Sequence, residues 1–236
     1  MARVTNGFLG DMSGSVGNIT FARARGGIAT ARVRAKPGNP RSLAQQQQRG
    51  RFKQLQRFAS AFMSARLIRP FWRVHSSGRL SAYNQFIRSN AAAMSAGLDP
   101  ALAVLSKANG LAEVTLTAAL PAEDGTNTLL LSVESTAGGD DADFLVGVLY
   151  HAGRWQAVVA DTGATRGNGT IPVPVPAAWM AESDALFAYA FAYKVGPTGL
   201  QLSASSAWKV TEAPFVIEPP DVPAPASDDE AVYGQG

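Results

Sequence analysis

Three groups of residues in this chain have types and spacings that chemistry uses. The first is Val158-Val159-Ala160-Asp161-Thr162-Gly163-Ala164-Thr165, a carboxylate on a Gly-bearing turn that follows an apolar run. Two such carboxylates brought together across a dimer share one proton and activate water, because neighbouring like charges resist joint ionisation. The second is Asp140, Asp141 and Asp143, hard oxygen donors of the kind that bind Ca²⁺. The third is cationic. Arg23, Arg25, Arg32 and Arg34 lie near the N-terminus, and Arg49, Lys53 and Arg57 follow at four-residue spacing, which aligns them along a helix. Phe52, Phe58, Phe62, Phe71, Trp72, Tyr83 and Phe86 interleave with the basic residues of this half. Cations with aromatics hold phosphates while stacking bases.

Each group has a plainer reading. Asp161-Thr162-Gly163 resembles the active-site loop of retroviral-type aspartic proteases, but that family braces the loop with a later apolar-apolar-Gly segment, and no good match follows Gly163. Gly163, Gly167 and Gly169 suit a turn between strands, so a turn is the expected role and the protease a remote alternative. The aspartates lack the Gly-spaced loop and distal Glu of a Ca²⁺ loop, and are expected to be a solvated turn. His75 and His151 are the only histidines, and both are expected to be structural. Without Cys there is no disulfide, thiolate ligand or Cys nucleophile. Nucleotide-binding, hydrolase-elbow and zinc-protease motifs are missing from the sequence. The expectation is a non-enzymatic chain that calls for no cofactor, metal or small-molecule substrate.

The 236 residues allow one large domain or two small ones, with 46% apolar and 17% charged residues. The net charge of +3 conceals an asymmetry. Residues 1–98 hold sixteen Lys/Arg and one acid, Asp11, for +15; residues 99–236 hold five Lys/Arg and seventeen acids, for −12. Such a split suits a basic half that faces nucleic acid, or subunits that dock head to tail. The N-terminus lacks the apolar core of a signal peptide, and no run is long enough to span a membrane, which leads to the expectation of a cytoplasmic or particle-borne chain.

The elements that would position these groups fall into four segments. Residues 1–38 are a Gly-rich basic arm, in which Ile19–Arg25 and Ile28–Arg34 read as a hairpin turning at Gly26-Gly27. Residues 39–98 are a basic helical unit. Asn39 and Ser42 can cap a helix from Leu43 to about Ile68, with Phe52, Leu55, Ala59 and Phe62 as its buried stripe, and Pro70 ends or kinks it. A second helix, about Leu80–Met94, places Leu80, Tyr83, Ile87, Ala91 and Met94 on one face. Hairpin and helices together bury little surface unaided. From Leu111 the period becomes 2, and seven short strands in residues 108–212 predict an immunoglobulin- or fibronectin-like β-sandwich without the disulfide. Ile171-Pro172-Val173-Pro174-Val175-Pro176 puts its prolines at one parity, as only an edge strand tolerates. Residues 213–236 are a Pro- and acid-rich extended tail with Phe215, Val216 and Ile217 as apolar anchors. The fold class expected is therefore α+β.

Several of these features resemble an uncharacterised bacterial and prophage-associated family, known as a domain of unknown function. They are Asn6-Gly7 with glycines at 10, 14 and 17, Asn39-Pro40-Arg41-Ser42 leading to Gln45 and Arg49, and Gly163-Ala164-Thr165-Arg166-Gly167-Asn168-Gly169-Thr170. The Asn-Pro-Arg-Ser helix opening is also similar to phage virion proteins. The resemblance covers most of residues 1–210 and implies a structural particle component. The expected function is a self-associating subunit of a virion or virion-like particle, with partners among copies of itself or other particle proteins. Nucleic-acid binding by the basic half is the alternative. The interaction residues expected are Arg23, Arg25, Arg32, Arg34, Arg49, Lys53, Arg57, Phe215, Val216 and Ile217.

Overall fold

The computed structural model of the chain describes residues 3–4, 12–23, 29–34, 38, 41–64, 68–76, 79–93, 97–123, 126–179 and 185–210. It opens with a four-stranded antiparallel sheet in sequence order: β1 (Arg3–Val4), β2 (Met12–Val16), β3 (Ile19–Arg23) and β4 (Ala29–Val33). The expected hairpin is β3–β4, in a different register. A two-residue turn at Gly26-Gly27 would set Ile19 opposite Arg34 and Phe21 opposite Arg32. Instead Ile19 faces Val33 and Phe21 faces Ala31. The one-residue step pairs apolar with apolar, which a period-2 structure achieves only by moving a whole strand. Gly26 and Gly27 themselves lie outside the described residues.

Helix α1 (Leu43–Ser64) begins at Ser42, whose hydroxyl accepts the Gln45 N–H at 3.4 Å; Asn39 and Pro40 lie outside the described residues. The buried side is Leu55, Phe58, Ala59, Phe62 and Met63, whereas Phe52, expected in that stripe, is 49% exposed. The reason is placement. Every side chain from Leu43 to Gln54 is exposed except half-buried Gln45, so the first three turns stand clear of the core. Pro70 lies inside helix α2 (Ile68–Arg73), not after it. It occupies the first turn, where a missing N–H forfeits no intrahelical bond. Helix α3 (Ala82–Ala93) is capped by the Ser81 hydroxyl, which accepts the Asn84 N–H at 3.2 Å. Its buried line is Ala82, Phe86 and Asn90, flanked by half-buried Tyr83 and Ile87; Ala91, expected on that face, is exposed. Among the described residues no helix is long and apolar enough to cross a membrane.

The remaining strands build two antiparallel sheets. One has the order β5 (Val114–Pro121), β6 (Thr128–Ser135), β9 (Thr170–Pro174). The other centres on β10 (Leu186–Gly196), flanked on one side by β7 (Phe144–His151) and then β8 (Gln156–Ala160), on the other by β11 (Gly199–Leu202) and β12 (Ser206–Lys209). The Pro-bearing strand β9 is an edge, as expected, with Ile171, Val173 and Val175 buried. The stretch after β10 is broken into two strands, β11 and β12. At the break the Ser203 hydroxyl accepts the Ala192 N–H at 2.8 Å and the Ser205 hydroxyl accepts the Leu105 N–H at 2.9 Å.

Strand β10 carries the layer structure on its two faces. Phe187, Tyr189 and Phe191 point into a core shared with Phe58, Phe62, Phe71, Trp72 and Phe86 of the helices, joined by Val146, Val148 and Tyr150 of β7. Leu186, Ala188, Ala190 and Ala192 point the other way, to Leu129, Leu131, Ile171 and Val173 of the second sheet. Helical segment and strand segment thus meet in one core. The small residues let the sheets approach closely. A Cβ added at Gly147 would lie 2.6 Å from Val173 Cγ2 and 2.9 Å from Ile171 Cγ2.

Between helices and sheet runs the segment Asp99–Ser106. Its backbone polar groups are met by side chains from both sides. The Trp72 indole N–H donates to Leu105 O at 2.7 Å and the Tyr189 hydroxyl to Pro100 O at 2.6 Å. Buried Asn90 donates to Val104 O at 3.0 Å and accepts the Val104 N–H at 2.8 Å. Each bond satisfies a group that would otherwise be desolvated without a partner.

Two glycines give opposite expectations. Gly50 is exposed in α1 with nothing within 4 Å of an added Cβ, so Gly50→Ala should stabilise by about 0.5–1 kcal/mol. Gly147→Ala should destabilise by about 1–3 kcal/mol through overpacking between the sheets. Denaturant unfolding of both variants checks the pair; a stable Gly147→Ala protein would contradict the close sheet packing.

Candidate interaction surface

A groove of about 480 Å³ lies between α1 and the β7–β8 hairpin. Helix α1 lines it with Lys53, Gln56, Arg57 and Ser60, and the hairpin with Arg154, Trp155 and Gln156. No carboxylate is among its lining residues. Trp155 has φ 57°, the one non-glycine residue at positive φ among the described residues. Such a conformation crowds a side chain against its own backbone and favours Gly or Asn. It is held by the hairpin, where the Trp155 N–H donates to His151 O at 2.9 Å, and by Arg57, whose guanidinium carbon is 4.8 Å from the ring centroid. Adjacent Tyr150 is fully buried with edge and tilted contacts to Phe58 and Phe62 at 5.1 Å. Burial pushes its phenol pKa well up, only partly opposed by the charge of Arg57.

The other basic residues do not converge on this groove. Arg49 lies farther along α1, in a shallow pocket with Gln45, Gln48 and Phe52. In the N-terminal sheet Arg23 pairs with Ala29 and Arg32 with Thr20, which puts the two arginines on opposite faces. Arg34 directly follows β4 and is exposed. Arg25, Phe215, Val216 and Ile217 lie outside the described residues.

The aspartate turn is solvated at Asp140 and Asp141, as expected, but not at Asp143. Asp143 is buried, with Oδ2 at 3.1 Å from Arg166 Nε, and both side chains are almost fully enclosed. Arg166 also donates to Glu113 O at 3.3 Å, to Ala112 O at 2.5 Å and to the Ser135 hydroxyl at 3.4 Å. It therefore ties the start of β5, the end of β6 and the start of β7 together. A Cβ at Gly139 would sit 2.6 Å from this guanidinium, so a side chain there would displace Arg166. Asp140 is exposed and bonded to Lys194 Nζ at 2.7 Å. The hydrogen bond from Lys194 lowers the Asp140 pKa, and the same bond raises that of Lys194. No group of three or more potential metal ligands forms among the described residues. The Gly-Ala-Thr-Arg-Gly-Asn-Gly-Thr stretch owes its character to this staple. Asn168 Oδ1 accepts both the Thr165 N–H and hydroxyl, and Gly169 takes φ 65°.

Asp161 follows β8 at the surface and accepts a hydrogen bond from the Tyr193 hydroxyl at 3.1 Å to Oδ2. Gly163 has the positive φ, 75°, that a turn requires. Burial raises the Tyr193 pKa first, and the Asp161 carboxylate adds to it. His75 Nε2 is 3.1 Å from Lys107 O, and partial burial lowers its pKa. His151 is buried, with its ring 5.4 Å from that of Trp179.

Sequence reasoning singled out the α1 stripe but missed Arg154 and Trp155, which only the hairpin brings to the helix. It also missed Arg166 as the partner of Asp143. The signal was faint: a lone arginine among glycines, in a part of the chain poor in cations. Comparison of the chain with family models, curated proteins and solved structures yields no match.

Removing one member of the buried pair should be costly. Arg166→Met is expected to lose about 3–5 kcal/mol, because Asp143 stays buried without its cation. Adding Asp143→Leu to that variant should recover part of the loss. Chemical unfolding of the single and double variants measures both, and equal stability of Arg166→Met and the parent would refute the staple.

Proposed function

We propose that the chain is a non-enzymatic structural subunit of a self-assembling particle, of virion type. The observation that carries this reading is the N-terminal sheet. Its strand pairing places Val16, Ile19, Phe21, Ala31 and Val33 on one face, and Ser15, Thr20, Thr30 and Arg32 on the other. Val33 is 72% exposed, Val16 55% and Ile19 43%, and neither hydrophobic core of the described residues includes a side chain of this sheet. A small two-faced sheet gains stability when its apolar face is covered, and a clustered exposed apolar face favours a docking role.

The cover we assign is a second copy. The outer face of β5–β6–β9 has a groove lined by Leu120, Leu130 and Pro172 with Glu123 at its margin. Apolar groups flanked by an acid complement apolar groups flanked by Arg23. A contact from arm to sheet joins unlike surfaces, so it propagates into rings, shells or filaments. It also fits the +15 and −12 halves of the sequence. The tail anchors Phe215, Val216 and Ile217 remain part of the proposed interface. We further read the two sheets as an immunoglobulin- or fibronectin-like sandwich. The first, second and fifth strands of residues 108–212 in one sheet, and the remainder in the other, support it. Membership of the prophage-associated family, and a place in a virion or in the cytoplasm before assembly, belong to the same proposal.

Val33→Asp and Leu130→Asp, made separately, should each lower self-association at least tenfold with little change in melting midpoint. Sedimentation velocity at matched concentrations is the measurement. If both variants associate like the parent, the arm-to-sheet contact is wrong. For the non-enzymatic part, Asp161→Ala should shift stability by no more than about 1 kcal/mol. Pepstatin-sensitive cleavage of a denatured substrate, lost in Asp161→Ala, would replace this reading with the protease.

A further inference from the structure

The outer face of α1 repeats a set of groups that assembly through the arm does not use. Around Arg49 these are the carboxamides of Gln45 and Gln48 and the ring of Phe52. Around Lys53 and Arg57 they are the carboxamide of Gln56 and, from the hairpin, the ring of Trp155 with Arg154. Each pocket therefore has a cation, an amide with both donor and acceptor, and an aromatic ring, exposed at Phe52 and half-buried at Trp155. Helix α1 contains no Asp or Glu in its 22 residues. Arg49, Lys53 and Arg57 succeed one another at about one helical turn, roughly 6 Å per step. That is the scale of one nucleotide in an extended strand.

We propose that this face binds single-stranded nucleic acid. The cations contact successive phosphates, Phe52 and the Arg57–Trp155 stack receive unstacked bases, and the glutamine amides meet base edges. A duplex keeps its bases stacked inside and would leave the rings unused. An acidic peptide would satisfy the cations but give no role to the exposed ring of Phe52 among the carboxamides. At φ 57° Trp155 sets its ring half-buried against the helix–strand core, with the Arg57 guanidinium over it. The groove volume, about 480 Å³, lies within the range of small-ligand pockets, room for a base and its phosphate. This inference does not depend on the assembly reading, since it uses a different surface.

The test is fluorescence anisotropy of a labelled short oligothymidylate with the full-length chain, from low to physiological salt. Four phosphate contacts predict a slope of log K against log salt of about −3, from about −0.7 per phosphate on single strands. Lys53→Gln with Arg57→Gln should make the slope shallower by about 1.4 and weaken low-salt binding about tenfold or more. Trp155→Gly removes the ring at a backbone conformation that glycine adopts freely, and should weaken binding about tenfold. Should that variant unfold, Phe52→Ser at the exposed end of the track serves instead, with the same direction expected. No anisotropy change at low salt overturns the proposal, as does unchanged affinity in Lys53→Gln/Arg57→Gln. Displacement of the oligonucleotide by polyglutamate at equal charge also overturns it, and would reassign the face to an acidic protein segment.

Discussion

The arrangement rests on the division of labour between the two faces of β10. Phe187, Tyr189 and Phe191 on one face need a thick apolar layer over them, which α1, α2 and α3 provide. Ala188, Ala190 and Ala192 on the other face need a partner that comes close, which β6 and β9 provide opposite Gly147. A strand with bulk on one side and methyl groups on the other thereby sets the spacing of three layers. Phe62 lies 5.1 Å from the ring of Tyr150 and 6.0 Å from that of Tyr189, so helix and sheet interlock through ring contacts on two strands. Aromatic pairs of this kind add to what area burial alone supplies.

Polar groups complete what packing begins, and they act at the seams. Asp99–Ser106 is held from the helix side by Trp72 and Asn90 and from the sheet side by Tyr189 and Ser205. At one end of the two sheets Arg166 gathers backbone carbonyls and Asp143 into one enclosed cluster. The two seams account for most of the buried polar side chains named above. The cationic face of α1 differs in kind: Arg49 and Lys53 are exposed, and Arg57 lies over the ring of Trp155.

Much of this was legible in the chain. The change of period near Leu111 located the strands, the alternating prolines marked an edge, and the cap at Ser42 lies where α1 begins. Phe187, Tyr189 and Phe191 alternate along β10 in the sequence, yet the sequence does not give their destination. A strand pattern says which side chains share a face without saying which face meets a helix. Phe52 was misassigned because helical spacing cannot tell where along its length a helix leaves the core. The register of β3–β4 escaped because the Gly26-Gly27 signal pointed to one turn length and the apolar pairing to another. Trp155 and Arg166 were invisible as site residues for the same reason: their meaning comes from partners about a hundred or fifty residues away.

The shared helix–strand core also has a consequence in time. During synthesis Phe58, Phe62, Trp72 and Phe86 emerge first, while the aromatic face of β10 is still uncoded chain. About a hundred residues separate Phe86 from Phe187, which at ordinary elongation rates is roughly 5–20 s. For that interval the aromatic side chains of three newborn helical segments have no strand to lie on. The nascent chain is then strongly cationic and carries uncovered apolar surface, the condition in which unfinished chains aggregate. Pausing or truncation before residue 187 would strand it in that state.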